Sequence, residues 1–127
     1  MSTNKHNKVK NSANELYDIY TFPNKLHGYK NGYKLTEGVN DIAVYENCFW
    51  LLDLIVDQQL FPELDDEVQN WELERIGDNL FNLSCSYDNG ETVEEIKDLE
   101  ADFYFDDLKI VKKGNIFCLP IEKDLYD

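Results

Sequence analysis

The chain reads as a single α+β domain, with N-terminal helices packed on a C-terminal antiparallel β-sheet. Three features predict this. Apolar residues recur at helical spacing up to about residue 60. From Val68 onward they alternate with a period of two. Gly- and Asn-rich turn signals separate the alternating runs.

The elements follow in order. Residues 1–12 are polar and rich in lysine, and are expected to form a flexible basic arm, leaving 13–127 as the folded domain. Asn14 is a plausible N-cap for a helix carrying Leu16, Ile19 and Tyr20, stopped by Pro23. The stretch 24–34, with Gly28 and the pair Asn31-Gly32, reads as a loop or short hairpin. Thr36 is a good N-cap for a short helix entered at Glu37 and running toward Tyr45. From Cys48 to Leu60, positions 48, 51, 52, 55, 56 and 59 form one stripe, so this is expected to be the most buried helix, ended by Pro62.

Beyond Pro62 the period changes. Val68, Trp71, Leu73 and Ile76 fit a strand, with Glu72 and Glu74 turned outward. Gly77-Asp78-Asn79 is a turn, and Leu80, Phe81, Leu83, Cys85 and Tyr87 form a second strand. Asp88-Asn89-Gly90 is another turn. Residues 92–99 fit either a strand or a short helix. Leu108–Val111 and Ile116–Leu119 read as a hairpin about Gly114-Asn115, closed by Pro120.

A length of 127 residues suits one domain, and a composition 43% apolar and 13% aromatic can fill a core. No apolar run is long enough to cross a bilayer, and the N-terminus lacks the apolar stretch of a signal peptide. Cys48, Cys85 and Cys118 are odd in number, widely spaced and set among apolar neighbours. They are expected to be reduced core thiols of a cytosolic protein.

Charge is unevenly spread. Residues 1–34 carry six lysines against two acids, a net of +4. Residues 35–127 carry 24 acids against six bases, a net of −18. A body this anionic projects a field that attracts basic partners. The stretch 88–107 concentrates it, with nine acids against Lys97 alone and aromatics at 103–105. Two readings stand. One is an edge kept soluble by charge. The other is an interaction strip formed by Glu94, Glu95, Asp98, Glu100, Asp102, Asp106 and Asp107, with Phe103 and Tyr104 as anchors. On the basic side, Lys25, Lys30 and Lys34 with Tyr29 and Tyr33 form a candidate RNA contact, or else are ordinary solvated positions.

Catalytic motifs are scarce. The two histidines are His6, in the arm, and His27, in the Gly-containing loop. Asp53 and Asp57 lie four apart on the buried helix, where they serve as a solvated strip or as acid, base or metal ligands. Asp88-Asn89-Gly90-Glu91 lacks the spacing of a calcium loop. Arg75 is the single arginine, and no Gly-rich phosphate loop is present. No cofactor and no metal site are expected.

The order of motifs resembles a known pattern. It comprises Leu35-Thr36-Glu37-Gly38-Val39, Cys48-Phe49-Trp50-Leu51-Leu52-Asp53-Leu54-Ile55 with Gln58 and Gln59, and Trp71-Glu72-Leu73. Tyr87–Gly90, Ala101-Asp102-Phe103, Leu108–Ile110 and Phe117–Pro120 follow. Over roughly residues 15–122 this resembles an uncharacterised family of small proteins from phages and mobile elements of Bacteroidota. The chain departs from it after Thr92, where it is more acidic, and at Ile121, where a serine would follow the proline. The resemblance implies no transferable activity. It implies a setting in which anti-defence proteins, anti-CRISPR proteins among them, bind a host nuclease. The expected function is therefore non-enzymatic inhibition of a type VI or type II RNA-guided nuclease, or of its guide RNA, by a monomer or homodimer. An accessory mobile-element protein without such a partner, and a metal-dependent hydrolase using Asp53 and Asp57, are the alternatives.

Overall fold

The computed structural model describes residues 11–59 and 68–126. The expected arm over 1–12 and the helix stop at Pro62 fall partly or wholly outside these. Asn11 and Ser12 are fixed. The Asn11 amide donates to Asp106 Oδ2 (3.1 Å), and Ser12 makes a parallel bridge to Asp107.

The elements are α1 (Ala13–Leu16), β1 (His27–Gly28), a 3₁₀ turn at Lys30–Gly32, β2 (Lys34–Leu35), α2 (Glu37–Tyr45) and α3 (Phe49–Gln58). Then come β3 (Val68–Gly77), β4 (Leu80–Ser86), β5 (Thr92–Glu100), β6 (Asp107–Lys113), β7 (Ile116–Cys118) and a 3₁₀ turn at Pro120–Glu122. The strands form one sheet in the order β1-β2-β7-β6-β3-β4-β5. The α+β class holds, with the helices early in the chain.

The sheet is mixed rather than purely antiparallel. The short N-terminal hairpin β1–β2 joins it, and β2 lies parallel to β7 through the registers Lys34↔Ile116 and Leu35↔Phe117. The first helix stops four residues in. Tyr17 and Tyr20 instead send their hydroxyls to Glu46, just past the end of α2, and to Asp41 within it, both at 2.7 Å, and a helix of this length has too few hydrogen bonds to persist alone. The ambiguous stretch 92–99 is strand β5.

Register explains the core. Trp71 lies between Cys85 and Ile110, and Leu73 between Leu83 and Leu108. These side chains share the face covered by Val39, Ile42 and Ala43 of α2 and Leu51, Leu52, Ile55 and Val56 of α3. Each large side chain fully buried there stabilises by about 1.5–3 kcal/mol. Ile76 does not belong to this face. Alternation from Trp71 and Leu73 turns Arg75 inward and leaves Ile76 46% exposed.

The start of β6 lies beyond the reach of short β7 and would leave backbone groups unpaired. Residues 11–14 fill the gap. Beyond the contacts at 106 and 107, the Asn14 amide donates to Lys109 O (2.9 Å) and its Oδ1 accepts from Lys109 N (2.6 Å).

Candidate interaction surface

Strand β5 pairs with β4 on one side and is the last strand in the sheet order. Its pairing slips twice, between Phe81 and Leu83 and between Cys85 and Ser86 of β4. At the first slip Lys97 and Asp98 together face Asn82. Asp98 takes a left-handed backbone (φ 58°), and its N–H binds Asn82 Oδ1 at 3.1 Å. Such a bulge twists an edge and discourages indiscriminate strand addition. The edge therefore offers side chains rather than a flat backbone template.

Glu95, Asp98, Glu100 and Asp102 are exposed along this edge and Glu94 is half-buried. None of these five enters an ion pair formed among the described residues. Asp88, at the head of the acidic stretch, is committed elsewhere. Its carboxylate accepts from Asn70 Nδ2 (3.0 Å) and Lys123 Nζ (2.9 Å), which lower its pKa in that order.

Three expected members of the strip are not surface groups. Asp107 and Phe103 are buried, and Asp106 is half-buried in a 3.0 Å ion pair with Arg75. The reason is topological. The chain must travel from β5 at the edge to β6 inside the sheet, so residues 101–106 cross the ends of β4 and β3. Arg75, near the end of β3, meets them there. Its guanidinium donates to the carbonyls of Phe103 (2.5 Å), Tyr104 (3.2 Å) and Phe105 (3.1 Å), and it lies 4.6 Å from the Phe81 ring centroid. Phe103 packs edge-on against Phe81 at 6.0 Å. Of the two expected aromatic anchors only Tyr104 faces solvent, 73% exposed and braced edge-on against Phe105.

The basic candidates sit at the opposite edge, β1–β2. Lys25, Lys30 and Lys34 are exposed, but the tyrosines are engaged. Tyr29 stacks on Phe49 (5.9 Å, 17°) and donates to Asp53; Lys30 reaches the same carboxylate at 2.9 Å. Tyr33 packs on Phe117 at 5.4 Å and carries the Lys112 ammonium 5.7 Å from its centroid. Neither ring is a bare stacking platform for a base. The sheet thus runs from a cationic edge to an anionic one.

Asp53 is bonded to neighbours outside its own helix. The Tyr29 hydroxyl, then Lys30, lower the Asp53 pKa, which suits a fixed anion rather than a proton donor. Asp57 is exposed one turn away. Among the described residues no three or more His, Cys, Asp or Glu side chains are placed to hold a metal. The cysteines are free and buried, and burial pushes each thiol pKa up to about 12, which makes them inert.

Two features escaped sequence reasoning. The role of Arg75 is visible only once distant segments meet. A concavity is also present on the helix-free face. It is a cavity of about 480 Å³ with Asn70, Glu72, Ser84, Ser86, Lys109 and Lys123 among its lining residues.

The described residues form a small α+β domain with exposed carboxylates along one sheet edge. The chain belongs to DUF6876, a family of unknown function, whose profile matches residues 10–123. Comparison with curated proteins and with solved structures gives no match.

Proposed function

We propose that this protein is a non-enzymatic anti-defence inhibitor of phage or mobile-element origin. It would dock the β5 edge into the cationic nucleic-acid channel of a host RNA-guided nuclease. One observation carries the reading. Glu95, Asp98, Glu100 and Asp102 line one edge, exposed and outside the ion pairs of the described residues, on a backbone held by β4 and the Arg75 clasp. A channel built for phosphates already carries positive potential. Fixed carboxylates can occupy it without the entropy cost of ordering a loose tail. The protein surface is favoured over the guide RNA as the target, because Tyr29 and Tyr33 are engaged in packing.

The test is target cleavage by reconstituted type VI and type II effectors. The wild-type protein should inhibit one of them. Glu95→Gln, Asp98→Asn, Glu100→Gln and Asp102→Asn combined should abolish inhibition while leaving circular dichroism and unfolding midpoint intact. These four are all exposed, so the variant spares the Arg75–Asp106 ion pair and the buried Asp107. Full inhibition by the folded variant, or none by the wild type, overturns the proposal.

A further inference from the structure

Exposed apolar side chains are concentrated on one flank of the molecule. Leu16, Ile19, Phe22, Val44 and Tyr45 are each more than half exposed, and they make up five of the eight large apolar side chains exposed among the described residues. Apolar groups scattered singly are ordinary on a surface, whereas a grouped set marks a contact.

Geometry groups them. The Tyr17 and Tyr20 hydroxyls reach Glu46 and Asp41, which lays residues 17–20 along α2. Val44 and Tyr45 stand three and four residues after Asp41, so they share its side of the helix. With both tyrosines bonded toward α2, Leu16, Ile19 and Phe22 are left outside. The segment is also held beyond Phe22, where the Asn24 amide donates to the Tyr126 hydroxyl at 2.7 Å. The apolar groups are therefore carried on a pinned backbone, which lowers the ordering cost of covering them.

Charge selects the occupant. Glu15 and Asp18 are exposed within the same segment, and Asp41 and Glu46 accompany Val44 and Tyr45. No lysine, arginine or histidine occurs in residues 11–23 or 36–47. A second copy would set this face against itself in a closed dimer, acids against the same acids. An anionic lipid surface is repelled by the same charges. Residues 16–22 and α2 present no strand edge, so an extended peptide gains no backbone pairing here. A helix with an apolar stripe flanked by lysine or arginine matches both features of the flank.

We propose that this flank docks a basic amphipathic helix of another protein. Its apolar stripe would cover Leu16, Ile19, Phe22, Val44 and Tyr45, with its cationic side chains against Glu15 and Asp18. The inference goes beyond the reading of the β5 edge and does not rest on it.

The test uses the full chain and a defined probe, the acetylated, amidated peptide Leu-Lys-Lys-Leu-Leu-Lys-Leu-Leu-Lys-Lys-Leu-Leu-Lys-Leu, with backbone amide signals followed by NMR. Signals of residues 16–22 and 44–46 should move saturably. The same peptide with serine for leucine keeps the charge and loses the stripe, and the one with glutamate for lysine does the reverse. Both should leave these signals in place. Ile19→Ser with Phe22→Ser, both exposed positions, should weaken binding at least about tenfold, and Val44→Ser with Tyr45→Ser should do the same from the other half of the flank. An equal response to either control peptide, or full binding by both double variants, overturns the proposal. So does self-association of the free chain that Ile19→Ser with Phe22→Ser dissolves, because a second copy would then be the occupant. None of these outcomes involves a nuclease, so this flank and the inhibitor reading fail separately.

Discussion

Glu122 is almost fully buried, and its Oε1 accepts the Thr36 hydroxyl at 2.6 Å, joining the end of the chain to the start of α2. The same carboxylate takes the N–H groups of Gly38 and Leu119, both at 3.0 Å. Thr36 Oγ1 in turn accepts from Val39 N at 3.3 Å. A buried carboxylate is tolerated when donors and a helix N-terminus surround it. Thr36 and Gly38 of the Thr-Glu-Gly sequence gain a physical meaning here. A Cβ on Gly38 would lie 2.7 Å from both Glu122 Oε1 and Leu119 Cδ1. Gly38→Ala should therefore destabilise by about 1–3 kcal/mol, and Glu122→Leu by a similar amount through its orphaned donors. Urea unfolding measures both; a midpoint unchanged in either variant contradicts the clasp.

Arg75 closes the route between β5 and β6. Arg75→Met would remove the guanidinium donor from three carbonyls and from Asp106 Oδ1, at a cost of about 2–4 kcal/mol. Arg75→Lys should recover only part of this, since one ammonium cannot reach the same fan of acceptors. Hydrogen exchange should show the change concentrated in residues 101–107. Uniform exchange across the sheet would contradict it.

Lys112 is a different case. It is 7% exposed and turned to the core face opposite Gln69, and burial lowers its pKa below 10.5. Between that lowered value and 10.5 the unfolded chain holds a proton that the folded chain has released. Stability therefore rises with pH through this window, and the full desolvation penalty applies below the lowered value. Lys112→Met should stabilise by about 1–2 kcal/mol at pH 7 and flatten that rise. Unfolding curves from pH 7 to 10.5 measure it; a destabilised variant would show that the contact with Tyr33 outweighs desolvation.

Asp53 should respond to its neighbour. Its pKa lies below 3.8, first because of the Tyr29 hydroxyl and then Lys30. Its stabilising contribution is present above 3.8 and is lost as pH falls through the folded value. Tyr29→Phe should raise the carboxyl pKa toward 3.8 in an NMR titration. No movement would assign the shift to Lys30 alone.

Local signals in the sequence carried most of the fold. The Thr36 cap, the 48–59 stripe and the turns at 78–79, 88–90 and 114–115 depend on neighbours in the chain, and each appears where its pattern places it. Non-local pairing was not legible. Nothing in Lys34-Leu35 announces a parallel partner eighty residues away, and nothing in Ser12 announces Asp107. The acidic stretch was legible as charge but not as direction. Asp106 and Asp107 differ from Asp98 and Asp102 only through the path of the chain under Arg75.

The most direct test of the anionic edge is the association rate with an inhibited RNA-guided nuclease, measured against ionic strength. The wild-type rate should fall steeply with salt, and neutralising Glu95, Asp98, Glu100 and Asp102 together should both lower it and remove most of the slope. A neutralised variant that associates at the wild-type rate with the same slope would rule out docking through this edge.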